Sequence, residues 1–292
     1  MKRHLSLFLL AVSVSVSAIA QDTTTNEKTI FTTSVGSFQV STLSEGNGNG
    51  SSTLLSGAAE DILEKYLPDG TFPFQVNAFL VQTGSKNVLI DTGYGINLFN
   101  NLHSLNVLEN QIDIILLTHM HGDHIGGLLT GDNKAAFPRA ELYVSKAEYN
   151  YWIKQDDNTK IQDIIAAYET RLHLFEPVDL GSDKQNLLSG IQAIKAYGHT
   201  PGHTVFMIES DDNRLLIWGD LTHAMNIQMP HPEVTLSFDV DPNLAKETRA
   251  QLLGYVAKNK IRVGGMHILS PSIGNVRIEE GRENAYIFIP CD

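Results

Sequence analysis

The sequence predicts a layered α/β fold, and three observations predict it. Apolar runs of strand length recur at 87–90, 112–117, 140–144 and 191–197, too short for helices. Around them, 58–67, 145–155, 159–172 and 243–258 carry apolar residues at helical spacing, the last entered through Asp241-Pro242. Polar clusters follow directly on several strands, where a rigid sheet can hold loops that carry chemistry. No solenoid-period repeat occurs and no low-complexity linker divides the chain after residue 52, so one mature domain, 21–292, is expected.

The N-terminus reads as a processing signal. Lys2-Arg3-His4 is a positive start, 5–18 is an apolar stretch with serines, and Ala18-Ile19-Ala20 offers the small residues a signal peptidase reads. Residues 1–20 are expected to be a signal peptide, too short for a comfortable membrane span. The mature protein would be exported to a bacterial periplasm or beyond, without membrane association after signal removal. Residues 21–52 are expected to be a flexible leader and edge strands, and 53–292 the functional domain. The apolar share of 42% suffices for a sizeable core. A formal net charge of −12 without any Lys/Arg-rich run excludes nucleic acid as the main partner. The single cysteine, Cys291, excludes an internal disulfide and a cysteine-based metal pattern.

Taken in order, 31–43 alternates well enough for one or two edge strands. Glu45-Gly46-Asn47-Gly48-Asn49-Gly50-Ser51-Ser52 reads as a turn or mobile loop from its glycine and asparagine content. Phe72-Pro73-Phe74 precedes a strand at 75–82; Phe72 and Phe74 are either a hydrophobic plug or the lining of a substrate pocket. Asp91, ending the 87–90 strand, would support a metal-ligand histidine by a hydrogen bond. Residues 96–105 suggest a short helix. Tyr149 and Trp152 either pack in the core or face the site. Residues 177–181 and 183–190 read as loops, 205–209 and 214–218 as paired strands, 229–240 as a loop with a short strand, and 261–263, 275–279 and 285–289 as further strands.

Two clusters carry the chemistry. The strand 112–117 delivers Thr118-His119-Met120-His121-Gly122-Asp123-His124. Neutral imidazoles and a carboxylate packed this closely make a poor core and a good metal site. His119 and His121 alternate and can face one way from an extended segment. Asp123 and His124 lie past Gly122, where the chain can turn and aim them elsewhere, so the spacing suggests two neighbouring ions. The second cluster, Gly198-His199-Thr200-Pro201-Gly202-His203, stands at the mouth of the 191–197 strand, its glycines permitting close approach to a metal. Asp220 ends another strand and His267 follows Gly264-Gly265-Met266. Imidazole and carboxylate suit zinc first, with iron or manganese as alternatives.

His119-Met120-His121-Gly122-Asp123-His124 resembles the signature of the metallo-β-lactamase superfamily of hydrolases. The resemblance implies an αβ/βα four-layer sandwich with a dimetal site at one edge. It assigns His119, His121 and His199 to one ion, Asp123, His124 and His267 to the other, and Asp220 as a bridge. His203 would hydrogen-bond nearby and stabilise the site. The ion pair would activate a hydroxide for attack on a carbonyl carbon or phosphorus, with Asp123 as the catalytic group that orients the nucleophile or takes its proton. No G-x-S-x-G elbow is present, and none is needed.

Within the superfamily, residues 69–93, Trp152 and the tail 266–276 are most similar to the branch of methyl parathion hydrolase and its lactonase- and esterase-like relatives. That implies a small neutral ester, lactone or phosphotriester as substrate, and a homodimer. Where the homoserine lactonases carry a tyrosine, three residues past the bridging aspartate, stands His223. Its imidazole would replace the phenol, touch substrate, or be a solvated loop residue. A glyoxalase II-like thioesterase and a β-lactamase are the alternative activities; a non-catalytic metal-binding secreted protein is the alternative from another class.

Overall fold

The computed structural model describes residues 29–155, 158–183 and 186–292; the expected signal peptide and the leader up to residue 28 lie outside them. Strands β1 (Ile30–Val35), β2 (Phe38–Ser51), β3 (Leu55–Ser56), β4 (Thr71–Gln82), β5 (Asn87–Ile90), β6 (Ile114–Leu116), β7 (Glu141–Ser145) and β8 (Leu172–Phe175) occupy the first half of the chain. Between them lie α1 (Glu60–Tyr66), α2 (Leu98–Ser104), α3 (Gly122–Ile125), α4 (Lys146–Trp152) and α5 (Thr159–Tyr168). The second half contains β9 (Ile191–Lys195), β10 (Thr204–Ser210), β11 (Asn213–Ile217), α6 (Met225–Gln228), β12 (Thr235–Leu236), α7 (Pro242–Asn259), β13 (Arg262–Gly264), β14 (Ile273–Ile278) and β15 (Tyr286–Pro290).

Two sheets form the middle layers. The first runs β1-β2-β4-β5-β6-β7-β8 and the second β15-β14-β13-β11-β10-β9, while β12 and β3 pair as a ribbon of their own. Their facing sides share one core, in which Phe79, Val81, Ile90 and Leu116 meet Phe206, Ile208, Leu215 and Ile217. The alternate residues Ala78, Leu80, Leu89 and Ile115 turn outward against Leu98 and Leu102 of α2 and Ile161, Ile164 and Tyr168 of α5. On the far side, Leu216 and Val263 pack under Leu252, Leu253 and Val256 of α7. The central strands are buried on both faces, which explains their unbroken apolar runs. The result is the αβ/βα sandwich. No helix among the described residues is long and apolar enough to cross a membrane.

The glycine-rich segment 45–52 is not a loop. Residues up to Ser51 continue β2, with a bulge between Ser44 and Gly46, and pair with the start of β4. Gly48 stands opposite Phe74 and Gly50 opposite Phe72. A Cβ at either glycine would fall within 2.8 Å or less of the facing ring. The glycines therefore make room for two aromatic rings across the ladder, a pairing that composition alone reads as a turn. Two further departures are local. The helical spacing of 159–172 ends at Tyr168, and Leu172 begins the edge strand β8. A single helical turn, α6, precedes the 229–240 loop. β10 and β11 are joined by a two-residue hairpin with Asp211 at φ 49° and Asp212 at φ 61°, matching a type I′ turn.

Candidate metal centre

The site lies where the ends of the two sheets meet. His119, His121, Asp123 and His124 follow β6, with His121 immediately before the single turn of α3. His199 comes from the β9–β10 loop, Asp220 from the end of β11 and His267 from the loop after β13. Three overlapping groups of candidate ligands result among the described residues: His119, His121, His199 and Asp220; Asp123, His124 and His267; and Asp220, His223 and His267. The first two each draw on both sheets.

In the first group three imidazole nitrogens converge. His121 Nδ1 is 2.9 Å from His119 Nε2 and 3.0 Å from His199 Nε2. Asp220 Oδ2 lies 3.3 Å from His199 Nε2 and 3.6 Å from His119 Nε2. Tetrahedral bonds of about 2.0 Å put ligand atoms roughly 3.3 Å apart, so this spacing fits a zinc-sized ion. In the second group Asp123 Oδ2 is 3.7 Å from His124 Nε2 and 3.6 Å from His267 Nε2. Asp220 touches this group too, through Oδ1 at 3.1 Å from His124 Nε2 and Oδ2 at 3.1 Å from His267 Nε2. His124 Nε2 and Asp220 Oδ1 are buried without hydrogen bonds. Lone pairs left bare in a buried polar cluster fit a shared cation.

The outer ring nitrogens are held by acceptors that fix each tautomer. Asp91 Oδ2 accepts from His124 Nδ1 at 2.7 Å and from the Thr118 hydroxyl at 2.6 Å, while Oδ1 accepts from Thr118 N–H at 2.8 Å. Thr118 Oγ1 in turn lies 3.1 Å from His119 Nδ1. His199 Nδ1 is 2.8 Å from Asp239 Oδ1, and His267 Nδ1 is 3.0 Å from the Gln75 carbonyl. With these four Nδ1 atoms engaged, Nε2 is the nitrogen each ring turns inward, where a bound ion would displace any proton on it. Burial opposes charge on His124, but Asp220, Asp123 and Asp91 raise its pKa well above the usual histidine value. Burial likewise opposes charge on Asp220, and its histidine neighbours, led by His124, hold it well below the usual carboxylate range.

Asp91 is placed in hydrogen-bond contact with His124. His203 has both nitrogens occupied, Nδ1 by the Ala196 carbonyl at 2.9 Å and Nε2 by Asp220 N–H at 3.0 Å. It holds the Asp220 backbone and has no lone pair to give an ion. Burial pushes its pKa down to about 3, ahead of the effect of His199. Phe72 is buried with Leu55, Leu67 and Ile227; Phe74 packs against the same cluster and also stands edge-on to His267 at 6.0 Å. Trp152 packs on the outer core and also presents its ring to His121 at 5.4 Å. His223 is no solvated loop residue; it is buried, stacks on His267 at 4.5 Å and reaches Asp220 Oδ2 at 2.9 Å.

The profile of the metallo-beta-lactamase superfamily matches residues 71–261, more than half of the chain. The chain belongs to the metallo-beta-lactamase superfamily. Among solved members of this fold, the dizinc quorum-quenching lactonase AidC, in complex with a product, superposes with a TM-score of 0.79 at 26% identity, over 90% of this chain and 97% of that one. The hydrolase AbOPH gives 0.80 at 29% identity, over 92% and 99%. In sequence, protein YobT of Bacillus subtilis is 32% identical over 153 residues, which is 50% of this chain and 62% of the relative. An atrochrysone carboxyl ACP thioesterase from a Cryptosporiopsis species is 29% identical over 49% of this chain and 38% of the relative. The chain thus spans less than two thirds of the length of these curated relatives.

Several residues of this superfamily site escaped sequence reasoning. Asp239, Glu148 and Arg249 are buried polar residues in segments that read as loop or helix. Arg249 sits on the inner face of α7, four residues after Ala245 and three before Leu252, so its break in the apolar stripe was the available signal. Tyr94 lies on the loop after Asp91, and burial followed by the charges of Asp123 and Asp220 pushes its hydroxyl up to about 12. That loop is pressed against the ligand loop at Gly126, where a Cβ would lie 2.5 Å from Tyr94 Cα and 2.6 Å from the Gly93 carbonyl oxygen. Both are backbone atoms that cannot swing away. Gly126→Ala is expected to cost about 1–3 kcal/mol, measured by urea unfolding of the metal-free protein.

Proposed function

We propose that the protein is a metal-dependent hydrolase with a dinuclear zinc centre, cleaving an ester or lactone bond in a small, largely neutral molecule. The observation that carries this reading is the convergence of two ligand sets on Asp220, with inward ring nitrogens fixed by buried partners. His119, His121 and His199 would hold one ion, Asp123, His124 and His267 the other, and Asp220 both. A pair of divalent ions, when bound, supplies Lewis acidity and lowers the pKa of water toward neutrality. The chain's own residues do the rest. Asp123 orients the attacking water as an acceptor, while Phe74 and Trp152 supply apolar walls beside His267 and His121. His223 keeps a buried Nδ1 without a partner, a group able to bond substrate where the lactonases use a phenol.

A cavity of about 500 Å³ opens beside His267, lined by apolar side chains that include Pro73, Met225, Met229, Leu269 and Phe288. It suits the apolar part of a substrate rather than a polyanion. AidC favours the lactone, and the methyl parathion hydrolase branch keeps a phosphotriester among the candidates. The fungal thioesterase relatives favour a thioester as the second reading. Export through residues 1–20 and a homodimer belong to the same proposal.

The test is hydrolysis by the zinc-loaded protein of a homoserine lactone, an aryl ester, an acyl thioester, a phosphotriester and a β-lactam, each with and without chelator. Turnover of the lactone or ester that chelation abolishes and zinc restores is the expected result. Thioester turnover alone would establish the second reading. Chelator-insensitive turnover, or none at full metal occupancy, would sink the proposal.

A further inference from the structure

Glu148, on α4, is a buried carboxylate with no part in the ligand sets, and four donors converge on it. Its Oε1 accepts from Met120 N–H at 2.9 Å and from the Trp152 indole N–H at 2.5 Å. Its Oε2 accepts from the Thr200 hydroxyl at 2.6 Å and from Gly202 N–H at 2.9 Å. Burial pushes its pKa up, against the pull of these hydrogen bonds, led by Thr200. A buried carboxylate is expensive unless satisfied, and here both oxygens are filled.

The identity of the four donors gives this arrangement a meaning. Met120 lies between His119 and His121, and Thr200 and Gly202 flank the turn that begins at His199. The two loops come from different sheets, and their backbones are brought to one side chain. Trp152, the fourth donor, is the ring that stands against His121. All three histidines so gripped belong to one ligand group. The other group makes no contact with Glu148: Asp91 holds His124 and, through Thr118, also His119, while the Gln75 carbonyl holds His267, on a loop that Asn77 also holds through the carbonyls of Gly265, Met266 and Ile268.

We infer that Glu148 is a positioning residue dedicated to one of the two ions, the one held by His119, His121 and His199. It sets the spacing between the two loops that carry those ligands. This rests on the dinuclear reading proposed above.

Glu148→Gln is a sharp test because the two shapes match and the acceptors do not. If the amide NH2 takes the place of Oε2, the Thr200 hydroxyl can turn to accept, but Gly202 N–H is left facing a donor. The opposite orientation leaves both Met120 N–H and the indole N–H unpaired. The full chain, stripped of metal, is titrated with zinc against a chromophoric chelator, beside His199→Ala and His267→Ala to identify each ion. Wild type is expected to bind two ions. Glu148→Gln should weaken by roughly 10–100-fold the ion that His199→Ala loses, and retain the ion that His267→Ala loses. Thr200→Val, which removes one of the four donors, should weaken the same ion less, and provides the reading if Glu148→Gln does not fold. Two ions at wild-type affinity, or equal weakening of both, would overturn the assignment while leaving the dinuclear centre intact. A wild type that binds fewer than two ions would overturn the dinuclear reading itself, and this assignment with it.

Discussion

Asp123→Asn is expected to lower kcat by roughly 10²–10⁴-fold with zinc still bound. Among the cluster's carboxylates, Asp123 is the one solvent reaches: its side chain is 21% exposed, against 2% for Asp220 and none for Asp91. It is therefore the carboxylate a substrate or attacking water meets first. Burial would raise its pKa, but His124 and then His267 hold it below the usual carboxylate value. At neutral pH the group is a fixed anion and a good acceptor, suited to orienting a water more than to storing its proton. Asparagine keeps an oxygen that can face an ion and loses the charge. The check is kcat and KM at saturating zinc together with the metal content of the same sample. Wild-type turnover in fully loaded Asp123→Asn would remove Asp123 from the reaction.

The second large effect is expected at Asp91. Asp91→Ala removes the acceptor of three buried donors, the Thr118 N–H, the Thr118 hydroxyl and His124 Nδ1. Breaking a buried pair of this kind costs about 3–5 kcal/mol, read as a lowered urea midpoint of the metal-free protein. Asp91 also stands at φ 57°, a region that asparagine tolerates better than most residues. Asp91→Asn therefore leaves the backbone undisturbed and isolates the charge. It should lose less stability than the alanine variant, yet bind the ion beside His124 roughly 10–100-fold more weakly. Equal stability of all three proteins would show that Asp91 is dispensable to the loop.

The inner parts of the molecule were the most legible in the sequence. The 87–90 and 112–117 runs mark strands because a strand covered on both faces has no polar side to interrupt it. The seven candidate ligands were legible because histidines and aspartates at strand ends have few other uses there. What escaped notice depends on contacts distant in sequence. The glycines of 45–52 make sense only beside Phe72 and Phe74, which no local pattern links to them. Glu148 and Asp239 look like ordinary polar residues of a helix and a loop until the fold brings Thr200 or His199 to them. Phe72 and Phe74, two residues apart on one strand, share a face of β4, so alternation could not separate their roles. Both pack on one cluster, and only the loop that brings His267 against Phe74 sets them apart.

The position of the centre at the junction of the two sheets bears on how the molecule comes apart. His121 and His199 are 78 residues apart in the chain but meet at one point. An ion held by both is a clasp closing a long covalent ring, and the entropy of closing such a ring grows only slowly with its length. The clasp can form only after the two halves have docked, because neither half carries a full set of ligands. Interactions made that late are absent from the folding transition state and act chiefly on the rate of unfolding. The ions that serve the proposed chemistry would thus also set the lifetime of the folded chain, a rate rather than an equilibrium stability.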